Sequence, residues 1–137
     1  VILPITDPYV AHHGALGSFA QVHLPPGMDA AKVRDWLLAR AGITECHERK
    51  VGALLMELPE DRMGDLVVAS ARNVVLGRTP AYHDLTALAG ALRSHGGRYE
   101  EMVPLLFSEP LNAAYATRAA GDVRNFDIFE FTCNGTH

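Results

Sequence analysis

No run of apolar residues in this 137-residue sequence extends beyond a few positions. A membrane-spanning helix needs about 20, so no span is expected. Nor is there an excess of positive charge: 12 Lys and Arg stand against 16 Asp and Glu, a net charge of −4. A general nucleic-acid binder carries a basic face, which argues against that class. Cysteine is scarce. Cys46 and Cys133 are the two present, and their spacing matches neither a metal knuckle nor a CxxC pair. Two free structural thiols fit a reducing cytosol, so a cytoplasmic location is expected and the sequence gives no support for a disulfide. In that setting the sequon Asn134-Gly135-Thr136 reads as chance. No basic stretch followed by an apolar core is seen, which predicts no secretory leader. Internal repeats, a Walker loop, a GxSxG elbow and a GxGxxG fingerprint are missing too.

What is there is enough to fold. Apolar residues make up 48% and charged residues 20%, outside the disordered range. The length suits about one ordinary domain. Val1 leads straight into an apolar stretch, which reads as a chain joining a fold part-way through. A strand is expected over 1–7. Residues 19–24 alternate, with Ala20, Val22 and Leu24 on one face, the mark of a half-buried strand. Pro25-Pro26-Gly27 stops it. Asp29 is placed to cap a helix over 30–41, with Gly42 as its stop. Val33, Trp36, Leu37 and Ala41 form that helix's apolar stripe, which predicts a core-facing tryptophan.

A short strand is expected over 43–47. Val51, Leu54, Leu55 and Leu58 then recur at helical spacing, predicting a helix over 48–58, which Gly52 weakens by about 1 kcal/mol relative to alanine. Strands are expected over 66–69 and 73–76. Two helices covering one face of a short antiparallel sheet make an α+β sandwich resembling a ferredoxin-like layer. This unit is expected to end at residue 77, with a second unit over 78–137. In the second, 103–107 reads as a buried strand, 111–122 as a helix or an irregular segment, and 126–131 as a short helix with aromatic anchors.

Several polar groups compete as site residues. His12 and His13 are adjacent, so extended backbone would send them to opposite faces. Asp61, Arg62 and Asp65 lack a nearby histidine, a poor basis for zinc. They read as solvated or turn-satisfying groups. His83 beside Asp84 reads as loop polarity. No role is assigned to His137. His95 differs, because it lies between Ser94 and Gly96-Gly97. Those glycines permit positive φ and leave room beside the ring.

The segment SHGG followed by VPLLF resembles the last metal-ligand segment of the alkaline phosphatase superfamily. Three further stretches extend the likeness: LPITDPYVAHHGALGSFAQVHL (3–24), LPEDRMGDLVV (58–68) and RNFDIFEF (124–131). In order and over nearly the whole length, they are similar to the C-terminal third of the phosphonoacetate hydrolase family. The resemblance implies an α+β accessory domain (1–77) followed by the C-terminal part of an α/β alkaline-phosphatase-like core (78–137). It implies zinc-dependent hydrolysis of the carbon–phosphorus bond of phosphonoacetate to acetate and phosphate. Two zinc ions are expected in the intact enzyme, and His95 would ligate one. The nucleophilic threonine and the remaining ligands are expected upstream, so no catalytic residue is assigned within these 137. The implied partner is a small-molecule phosphonate, and a homodimer is compatible with the family. Arg93 and Arg98 flank the His95 loop, but neither is assigned as a binder of the substrate carboxylate.

Two other readings compete. One is another superfamily enzyme, a phosphodiesterase, pyrophosphatase or phosphomutase. The other is a non-catalytic α+β binding or oligomerisation domain. The fragment reading predicts exposed apolar surface around 103–107 and 126–131.

Overall fold

The computed structural model describes residues 2–4, 17–79, 83 and 95–136. They group into two compact units, Val1–Glu101 and Met102–His137.

The first unit is built on a four-stranded antiparallel sheet: β1 (Ile2–Pro4), β2 (Phe19–Val22), β3 (Ile43–Glu48) and β4 (Leu66–Ser70). Their order in space is β1-β2-β4-β3. β4 runs antiparallel to both β2 and β3. The two outer partners are therefore parallel to each other, with β4 inserted between them, as in a split βαβ unit. All five residues of β4 are buried, as a central strand covered on both faces requires.

One face of the sheet carries Val22, Cys46, Leu66 and Val68, packed against Ala30, Val33 and Leu37. These last three lie on α1 (Ala30–Leu38). Asp29 caps that helix by accepting a hydrogen bond from the Lys32 amide at 3.2 Å. A register shift between Ile43 and Glu45 lets Ile43 join this cluster although Cys46, three residues on, points the same way. Such a bulge re-aims a side chain without ending the strand.

The opposite face carries Val67, packed with Ala53, Met63, Phe19 and Met56. Ala53 and Met56 belong to α2 (Arg49–Met56), which follows β3 with only Glu48 as its cap. The expected arrangement of two helices on one face is thus corrected: α1 and α2 cover opposite faces. Of the ferredoxin-like expectation one split unit is present, β2-α1-β3 around β4, while α2 joins β3 to β4 where that layer has a hairpin, and the one-face helix layer is not formed.

The apolar stripe of α2 is not its packed side. Val51, Leu54, Leu55 and Leu58 are exposed, Leu54 by 79%, while Gly52 and Ala53 are buried. Small residues win because the helix lies close to β4. A Cβ on Gly52 would stand 2.3 Å from Val67 Cγ2. Trp36 does not reach the core either. It is 57% exposed and lies under the Arg40 guanidinium, 4.4 Å from the ring centroid. Val33 and Leu37 fill the stripe, and Trp36 stands at its flank.

Asp65 takes the turn-satisfying role expected of it. It accepts from the Leu24 amide and from Arg49 Nη2, each at 2.7 Å. These donors hold its carboxyl below the usual range, the Leu24 amide most strongly. Asp61 and Arg62 lie in an exposed 3-10 turn, Glu60–Arg62. The strand expected over 73–76 reduces to one bridge, Leu76 with Gly17.

In the second unit, α3 (Ala113–Ala119) and α4 (Ile128–Asn134) meet around Phe131, which is fully buried. Phe107 stacks on its ring at 5.8 Å and Tyr115 meets it edge-on at 5.2 Å. Arg118 bridges Glu130 at 2.6 Å and Asp127 at 3.2 Å. The strand expected over 103–107 is not formed. Val103 is 57% and Leu106 85% exposed. A strand needs a neighbour for its backbone groups, and the described residues offer this segment no ladder. Of the three expected aromatic anchors only Phe131 is buried; Phe126 and Phe129 are exposed, which corrects that expectation for these two and agrees with the apolar surface that the fragment reading predicts around 126–131.

Candidate functional site

The His95 loop is tied to the sheet through its backbone. The His95 carbonyl accepts a hydrogen bond from the Ser18 amide at 2.9 Å, one residue before β2. Gly96 follows at φ +83°, a conformation costly for any residue with a Cβ. Gly97 is buried against Ser18, whose Cβ would lie 3.2 Å from a Cβ at that position. Gly96 is therefore a requirement of loop geometry, and Gly97 lets the loop lie close against Ser18. The His95 imidazole itself is half-buried.

A 3-10 turn, Arg98–Glu100, ends the loop. The Gly97 amide donates to Glu100 Oε2 at 2.8 Å, and the Glu100 amide donates to the Gly97 carbonyl at 3.0 Å. Arg98 then reaches back to β3. Its Nε and Nη2 donate to the two carboxylate oxygens of Glu45 at 2.9 and 3.0 Å, a bidentate fork. Its Nη1 donates to Glu101 at 2.6 Å. His47 Nε2 stands 3.1 Å from Oε2, the oxygen that also accepts from Arg98 Nη2. The Arg98 fork, then His47, hold the Glu45 carboxyl below its ordinary value. Hydrogen bonds to the Glu45 and Glu101 carboxylates raise the Arg98 guanidinium further above its own. Arg98 is thus committed to carboxylates of this chain.

Beside the loop lies a shallow crevice of about 240 Å³. Phe19 and Ala69 of the sheet, Met56 of α2, and Gly96, Gly97 and Arg98 line it. It is open and modest, below the size of most small-molecule sites.

Among the other candidates, His83 Nε2 accepts from the Arg78 amide at 2.8 Å, in keeping with loop polarity. His12, His13, Asp84, Arg93 and His137 lie outside the described residues. Among the described residues no group of three or more His, Cys, Asp or Glu side chains could hold a metal ion. Zinc takes three or four protein ligands. His95 fits as one nitrogen donor, and the described residues do not complete a site around it.

Ser18 and Glu45 escaped the sequence reading. Each lies far from His95 along the chain, and no local pattern marks either as a loop anchor. The alternation of β3 does place Glu45 and His47 on one face. Only the fold shows that this is the face on which the loop closes.

No family model matches the chain. Two crystal structures of phosphonoacetate hydrolase from Sinorhizobium meliloti 1021 do, one in complex with phosphonoacetate and one with phosphonoformate. Each is 41% identical with a TM-score of 0.72, over 100% of this chain and 33% of theirs. The chain is therefore similar to a hydrolase over its whole length. More particularly, it resembles phosphonoacetate hydrolase and spans a third of that protein's length.

Proposed function

We propose that this chain is the C-terminal third of a zinc-dependent phosphonoacetate hydrolase of the alkaline phosphatase superfamily. The intact enzyme would cleave the carbon–phosphorus bond of phosphonoacetate, releasing acetate and phosphate in the cytoplasm. The observation that carries this reading is the 41% identity, over the whole chain, to structures holding phosphonoacetate and its analogue phosphonoformate.

In this reading residues 1–77 form the accessory domain and 78–137 the C-terminal part of the catalytic core. His95 serves as one ligand of one of two zinc ions. The other ligands and the threonine nucleophile belong to the remaining two thirds of the fold. Supporting His95 are its place on a glycine-kinked loop and the backbone tie to Ser18. The exposed Val103, Leu106, Phe126 and Phe129 support a chain that packs against more protein.

The test uses the longest reading frame that contains these residues. Purified protein should release phosphate from phosphonoacetate and carry zinc. His95→Ala should lower zinc content and remove most of the phosphate release. Unchanged metal content and rate in that variant would refute the role of His95, and no release from the unmodified protein would refute the reading as a whole.

A further inference from the structure

The loop that carries His95 is anchored at two points, one on the sheet of the first unit and one immediately before its strand β2. One is the Ser18 amide on the His95 carbonyl. The other is the Arg98 fork on Glu45, 53 positions earlier in the chain. Between these anchors the loop has no regular structure, and the second anchor opens a single 3-10 turn, Arg98–Glu100. A short turn of this kind does not hold its own geometry in water. Its conformation must come from what it is fastened to.

The fork is built to fasten. Arg98 spends three donor nitrogens on two carboxylates. Glu45 stands on the strand next to β4, and His47 contacts the same carboxylate, so the acceptor is held in place before Arg98 arrives. A guanidinium meeting a carboxylate through two parallel bonds fixes direction as well as distance. Arg98 is three residues from His95, and Gly97 is pressed against Ser18 on the way. Rotating the loop would break both anchors together.

We infer that Glu45 and Arg98 are positioning residues, which fix the His95 loop on the sheet and so set where the imidazole is presented. The value of that placement rests on the reading of His95 as a functional group. The placement itself can be tested apart from that reading.

The experiment is amide hydrogen exchange on the full reading frame, comparing unmodified protein with Glu45→Gln and Arg98→Lys. Glutamine keeps the size of the acceptor and removes its charge. Lysine keeps the charge and removes the fork. In both variants the peptides holding Ser18 and 95–101 should exchange about tenfold faster, as expected for loss of a charge-assisted local contact. The β4 peptide, 66–70, should change less than twofold. The double variant should be no worse than the more affected single variant. Unchanged exchange at 95–101, or uniform acceleration that includes β4, would overturn the proposal. Zinc content separates the two claims. A loosened loop in Glu45→Gln with normal zinc in His95→Ala would keep the positioning role and defeat the metal-ligand reading. Lost zinc in His95→Ala with an unmoved loop in Glu45→Gln would do the reverse.

Discussion

Gly52 of α2 and Val67 of β4 are pressed together so closely that a Cβ on the glycine would fall 2.3 Å from Val67 Cγ2. Alanine at a helix interior normally gains about 1 kcal/mol over glycine. Here that gain should be outweighed, because overpacking a core costs roughly 1–3 kcal/mol. Gly52→Ala is expected to lower the melting temperature. A melt that rises would show that α2 can lift off the sheet without loss.

The same helix gives the opposite expectation on its other side. Leu54 is 79% exposed, so Leu54→Glu should leave the stability of this chain within about 0.5 kcal/mol. Urea unfolding of the two variants side by side would decide which face of α2 is the packed one.

Cys46 is buried under α1, and burial pushes its thiol up to about 11. At pH 8 its thiolate is then on the order of one part in a thousand. Cys133 is exposed. A thiol reagent at pH 8 should label Cys133 promptly and Cys46 only after denaturant is added. Mass spectrometry of the labelled peptides reads the order directly, and prompt labelling of both would contradict the packing around Cys46.

Acid should loosen the fork. Glu45 titrates below its ordinary value when folded, through Arg98 first and His47 after it. Stability from the pair is therefore complete above the unfolded value of about 4.3. It is lost as pH falls through the lower folded value. The two side chains are 27% and 34% exposed, so solvent screening limits the effect to about 1 kcal/mol or less. Melts taken from pH 5 downwards should show the unmodified chain losing its advantage over Glu45→Gln and converging on it. A gap that widens with acid would reverse the sign and refute the account.

Phe131 organises the second unit between Phe107 and Tyr115. Truncating a buried phenylalanine costs about 3–5 kcal/mol. Phe131→Ala should speed exchange of the α3 and α4 amides by roughly two to three and a half orders of magnitude. Little change would mean that the arginine and carboxylate contacts of Arg118 hold these helices without the ring.

Local signals in the sequence were reliable where the chain itself decides the outcome. Asp29 caps α1 as its residue type and position demand, and the alternation of β2 buries Ala20 and Val22. The glycine pair after His95 marks a real kink. Failures came where a distant neighbour decides. Helical periodicity gave α2 an apolar stripe, but it could not weigh that stripe against the close approach that Gly52 and Ala53 permit. Trp36 looked like core because it is large and apolar, yet the stripe it flanks was already filled by Val33 and Leu37. The strand expected over 103–107 lacks a partner among the described residues. Glu45 and Arg98, far apart in sequence, become neighbours only through the register of β3 on β4.

The placement of β4 between its two partners also sets the order in which this protein can be made. Val68 pairs with Ala20 on one side and Cys46 on the other, so both flanking strands leave the ribosome before the strand that joins them. Until Leu66–Ser70 emerges, the nascent chain holds two strands with open edges and nothing to close them. Non-local pairing of this kind is slow to form, and open edges invite association with other chains. A chain cut off before Leu66 would therefore be poised to aggregate, whereas one that includes Ser70 can join both strands through β4, leaving β1 and β3 at the edges.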